Sequence, residues 1–181
     1  MAPVPTGPGD FALTLDELRV VARYAAESAL GVLAIFETND PQDKRPRDAI
    51  AAAMTFADGA PRTALQRVTS LDAHRAAREV SDEAARHAAR AAGDAASAAY
   101  LHPLAKATQV GHILRAAANA ARAAELRAGN DATVGEGMIE RARARATPVV
   151  IDVLRRYPSA PAGRSRVAHL MAALDRALRH Q

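Results

Sequence analysis

The side chains that could do chemistry in this sequence are six histidines and a large excess of arginine over lysine, 22 to 2. The histidines are His74, His87, His102, His112, His169 and His180. None stands four residues from another and there is no HExxH, so no helical zinc-ligand pair is present. The chain has no cysteine, which removes thiolate nucleophiles, disulfides and cysteine-based zinc sites. No metal and no cofactor is expected. G-x-S-x-G and S-x-x-K are also missing, so acyl transfer by an activated serine has no support. Gly135-Glu136-Gly137 is a bare G-x-G with no strand before it, and reads as a loosened helix start rather than a phosphate loop.

What remains is polar stripes at helical spacing. Arg67, Ser70, His74 and Arg78 share one face, as do Thr108, His112, Arg115, Asn119 and Arg122. Like charge from neighbouring arginines disfavours a protonated imidazole, leaving it neutral and able both to donate and to accept. One reading is a groove lined by His74, Arg78, Arg90, His102 and His112, which holds an anion or a partner's carboxylate through forked guanidinium contacts, as a binding protein or an enzyme. The other is a pair of ordinary solvated faces. His102, followed by Pro103, is expected at a helix N-terminus, which favours its neutral form or a bound anion. Lys44, Arg45 and Arg47 place three cations at another helix start, against the macrodipole. That is either a binding spot or a solvated loop.

A third cluster, Arg141, Arg143, Arg145, Arg155, Arg156, Arg164 and Arg166, raises non-specific, salt-dependent phosphate binding. Residues 1–134 carry 15 basic and 16 acidic side chains, and residues 135–181 carry nine and four, so the net charge of +4 originates in the last quarter of the chain. With three Tyr, three Phe and no Trp, there is no platform for stacking bases, and nucleic acid is not the expected partner.

The elements that position these groups are helices. Alanine makes up 47 of the 181 residues, and it is the strongest helix former because it loses no side-chain entropy. Its small faces bury little area each, so the helices must approach closely or cover a face with a partner, a second copy included. Residues 1–12, with three Pro and two Gly, read as a flexible leader. Thr14 and Glu17 form a capping box for a helix running to about Phe36, with Leu15, Leu18, Ala22, Ala25, Ala29, Leu33 and Phe36 as its apolar stripe. Further helices are expected over about 46–58, 61–80, 81–99 (capped by Ser81) and 102–129. Thr133 and Glu136 suggest a capping box for a helix that Pro148 splits into 133–146 and 148–157. A last helix over 165–179 has Val167, Leu170, Met171, Leu174 and Leu178 on its apolar face. No period-two alternation occurs. The reading is therefore a single all-α domain over 13–181 of about seven antiparallel alanine-rich helices. No apolar run reaches 18 residues and no secretory leader opens the chain, so a cytoplasmic protein away from membranes is expected.

Three segments in order, TLDELRVVARYAAE (14–27), RPRDAIAAA (45–53) and the stretch from Asp72 to His112, resemble the all-helical immunity proteins of bacteria related to the fifth immunity-protein family of polymorphic-toxin systems. The motifs are Arg45-Pro46-Arg47, then His74, Arg75 and Arg78, then Arg90, Gly93 and His102; a second histidine follows as His112. The resemblance covers about 13–128 and leaves the basic C-terminal helices of 129–181 outside it. It implies a small cytoplasmic protein that neutralises a cognate protein toxin by binding it, and together with the missing catalytic motifs it favours a protein that is not an enzyme. The tentative binding residues are Arg45, Arg47, His74, Arg75, Arg78, Arg90, His102 and His112.

Overall fold

The computed structural model describes residues 11–181, and among these there are nine α-helices and no β-strand. They are α1 (Leu15–Leu30), α2 (Leu33–Asn39), α3 (Arg45–Ala57), α4 (Ala64–Glu79), α5 (Glu83–Ser97), α6 (Val110–Arg127), α7 (Ala132–Arg145), α8 (Pro148–Arg155) and α9 (Arg166–Arg179). The chain is one all-α domain. Residues 1–10 of the expected leader lie outside the described residues. Its last two are held: the Phe11 ring meets Tyr157 edge-on at 4.8 Å, and Ala12 offers its carbonyl to Arg156 at 2.8 Å.

Local signals explain most helix ends. Thr14 and Glu17 form the capping box of α1 (3.2 and 2.8 Å), and Thr63 with Gln66 forms a second one for α4. Pro46 sits in the first turn of α3, where its missing N–H leaves nothing unpaired. Pro148 starts α8 under a Thr147 cap, so the expected break after α7 is present. Four details differ from the sequence reading. The first helix is two, because Gly31 ends α1 and Val32, at φ −124°, turns the chain into α2. Asp82 rather than Ser81 caps α5, and Asp131 rather than Thr133 caps α7, in each case because the carboxylate reaches the free amides first (2.7 and 2.9 Å). Finally, α6 begins at Val110, eight residues after His102.

The centre of the domain is α5, which packs against α1, α2, α3, α4 and α6. Eight of its alanines are buried, among them Ala85, Ala89, Ala92 and Ala96 with no exposure. Such small side chains let five neighbours come close to one helix. Bulk comes from outside α5, through Phe36, Phe56, Leu101, Ile113 and Leu114. The last helices close the far side with Val150, Val153 and Leu154 of α8 and with Leu170, Met171, Leu174 and Leu178 of α9.

Candidate functional site

An open groove of about 490 Å³ runs between α4, α5 and α6, walled by Leu71, His74 and Arg78 of α4, Arg90 and Asp94 of α5, and Arg115 and Asn119 of α6. Its floor is Asp94, whose side chain is 5% exposed. Asn119 donates its amide to Asp94 Oδ2 at 2.8 Å and accepts at Oδ1 from His87 Nδ1 at 2.8 Å. His74 Nε2 lies 3.6 Å from Asp94 Oδ1, and the nearest guanidinium, that of Arg115, lies at 4.0 Å. Burial pushes the Asp94 carboxyl up to about 6, against the pull of Arg115, of the Asn119 hydrogen bond and of Arg90. His74 is pushed below its ordinary value, first by burial and then by Arg115, Arg78 and Arg90. The neutral imidazole expected from like charge is thus neutral chiefly through desolvation.

Two glycines shape the walls. A Cβ on Gly93 would lie 2.7 Å from the His74 ring, so the bare backbone of α5 is what lets that imidazole lie flat against it. The guanidinium of Arg115 folds back over Gly111, where a Cβ would lie 2.0 Å from Nη2. The histidine of one sequence motif and the glycine of the next are therefore direct neighbours.

The eight residues singled out in the sequence fall into three groups. His74, Arg78 and Arg90 line the groove together. His102 and His112 lie beside it. His102 is exposed in the loop before α6, its N–H bonded to Gln109 Oε1 at 3.0 Å, and it lines a second depression with Arg67, Ser70, Ser97 and Tyr100. It is not at a helix N-terminus, because Pro103 and the following residues turn through a loop before α6 starts. His112 meets Ser97 Oγ at 3.3 Å and is pushed down by burial, then by Arg115 and His102. Arg45, Arg47 and Arg75 lie elsewhere and are paired. Arg45 forks Asp43 (2.6 Å) and reaches Glu79 (2.5 Å), tying the start of α3 to the end of α4. Arg47 forks Glu37 at 2.6 and 2.7 Å, and Arg75 holds Asp72 at 2.7 Å. These carboxylates offset the cations that oppose the α3 dipole.

Asp94, Asn119 and Arg115 complete the groove; the sequence placed Arg115 and Asn119 on the polar stripe of His112, but none of the three is among the expected binding residues. A signal for two of them was there: Asp94 and Asn119 each interrupt a run of small residues (91–96 and 116–121). A polar side chain inside such a run is buried by its neighbours and needs a partner of its own kind.

The C-terminal arginines are dispersed by their own contacts. Arg143 pairs with Glu140, Arg156 with Glu17 and Asp152, and Arg166 with Glu125. Arg145 bonds Ser28 Oγ at 2.7 Å and lies over the Tyr24 ring, while Arg155 donates to the carbonyls of Arg179 and Gln181. Among the described residues no three His, Asp or Glu side chains form a group that could hold a metal, and no helix is long and apolar enough to cross a membrane.

No curated protein and no solved structure matches the chain. A family model does, over residues 12–147, from the approach to α1 through the whole of α7 and so beyond the segments that carried the resemblance. On that match, which includes every wall of the groove, the chain belongs to the family described as Imm-5 like putative immunity protein.

Proposed function

We propose that this protein is a cytoplasmic immunity protein that neutralises a cognate toxin by binding it, with no chemistry of its own. Membership of the family supports the role. The observation that carries the surface is on α4: Leu65, Val68 and Leu71, three residues apart, are 48, 51 and 52% exposed. Aliphatic side chains aligned on one face and left in water mark a surface that a partner covers. Leu71 is also a wall of the groove, so the stripe runs directly into the cations of Arg78, Arg90 and Arg115. A partner that fits presents apolar side chains next to acidic ones, and the positive rim steers its approach. Binding there blocks the toxin sterically. The internal pairing of the C-terminal arginines weighs against a nucleic-acid surface.

The test is co-expression with the products of the genes adjacent to this one, with binding measured on each purified pair. The wild-type chain is expected to protect the cell. Val68→Asp and Leu71→Asp each put a charge into the covered stripe and should weaken binding about 30-fold or more, with melting curves unchanged because both side chains already face water. Full binding by both variants would remove α4 from the interface, and a wild-type chain that neither binds nor protects would overturn the toxin reading.

A further inference from the structure

We propose that the groove between α4, α5 and α6 is a receptor for a phosphomonoester carried on a small apolar body. Among the described residues Arg78 and Arg90 have no carboxylate within 4.0 Å, and Arg115 reaches only Asp94, at that limit. Arg45, Arg47, Arg156, Arg166 and Arg179 each hold a carboxylate closely, and what distinguishes Arg78, Arg90 and Arg115 from other loosely held arginines is that the three line one groove. With His74 neutral and Asp94 ionised, three guanidiniums around one acid leave the groove two positive charges in excess. A dianion cancels that excess and a single carboxylate leaves half of it. Geometry favours phosphate as well. A planar carboxylate matches one guanidinium fork lying in its own plane. Here the guanidiniums belong to three different helices that wall one groove, and a tetrahedral group has an oxygen to offer each of them.

The floor keeps the cations in place. Asp94 is held from below by Asn119, which is itself fixed by His87, so the acid attracts Arg115 and Arg90 without closing a bidentate pair with either. Gly111 gives Arg115 the space to lie along α6 rather than extend into solvent. The volume of about 490 Å³ is that of a small-molecule site, for which roughly 300–1,000 Å³ is usual, and Leu71 supplies an apolar wall beside the charged end.

Calorimetric titration of the full chain at fixed ionic strength tests this with three probes. Phenyl phosphate is expected to bind one site, inorganic phosphate more weakly, and benzoate, with the same ring and a single charge, not measurably. Arg78→Ala and Arg90→Ala should each weaken phenyl phosphate about tenfold, while Arg75→Ala, paired with Asp72 outside the groove, should leave it unchanged. Neither groove substitution removes an ion pair found among the described residues, so thermal melts should match the wild type. No saturable binding of phenyl phosphate, equal binding of benzoate, or wild-type affinity in both groove variants would overturn the proposal. Inorganic phosphate binding as tightly as phenyl phosphate would overturn the apolar body. No toxin enters the titration, so its failure and the failure of the docking surface are separate results.

Discussion

Glu125 on α6 and Asp94 on α5 are both buried acids, 1% and 4% exposed, and they are held in opposite ways. Glu125 accepts from Arg166 at 2.5 and 3.0 Å and from Arg122 at 3.0 Å. The pairing bolts α9 to α6. Gly135 of α7 faces the same carboxylate so closely that a Cβ there would lie 2.0 Å from Oε1. The G-x-G of the sequence is thus a place where a helix gives way to a buried ion pair, not a loosened helix start. Asp94 has an amide at 2.8 Å and its nearest guanidinium at 4.0 Å. One acid saturates its arginines and makes a joint. The other gathers arginines without saturating them and leaves their donors facing a groove.

Breaking the joint should have the largest effect. Glu125→Gln leaves Arg122 and Arg166 without their counter-charge, and is expected to cost about 3 kcal/mol in urea unfolding. Gly135→Ala attacks the same joint from the other side, by crowding, and should cost roughly 1–2 kcal/mol. An unchanged urea midpoint in either variant would contradict the assigned packing.

Asp94→Asn should act with the opposite sign, raising stability by about 1 kcal/mol at pH 7.5, because it removes a charge that burial disfavours. The wild-type carboxyl, pushed up to about 6 from an ordinary 3.8, takes up its proton more readily folded than unfolded. Wild-type stability therefore rises as pH falls from about 6 towards 4, and the advantage of the Asn variant fades over that window. His74, His87 and His112, all pushed below their ordinary 6.5, oppose this trend. Both proteins carry them, so in the difference between the two stability curves His87 and His112 largely cancel, leaving Asp94 and its neighbour His74. A difference that stays constant with pH would refute the assignment.

The smallest effect is expected from Gly93→Ala. The partly exposed His74 ring can swing away from the new methyl, so stability should change by under about 1 kcal/mol. Its titration, followed by NMR, should move back towards 6.5 as it leaves the buried position. No movement would mean that the ring does not depend on that glycine.

Much of the architecture was legible in the sequence because caps and breakers act over four or five residues. The Thr14–Glu17 box, Pro46 in a first turn and the break at Pro148 each have a local cause. The apolar faces of α1 and α9 follow from spacing alone. Local signals also misled where two were close: Ser81 and Asp82 compete for one cap, and His102-Pro103 looks like a helix start although α6 begins at Val110. Of the groove, His74, Arg78 and Arg90 were legible as polar residues at helical spacing, and the fold brings them together. Arg115 and Asn119 were legible on the polar stripe of His112, while Asp94 stood out as an interruption of an alanine run. The partnership of Asp94 with Asn119 joins α5 to α6 across 25 residues of chain.

The sequence by itself determined that this chain is all helix, where most of its helices begin and end, and which side of most of them is apolar, since those properties depend on neighbours within a turn or two. Only the tertiary structure decided which arginines are paired and which face the groove. A guanidinium's partner is chosen by distance in space, and alanine-lined contacts let helices far apart in the chain come close enough to make that choice.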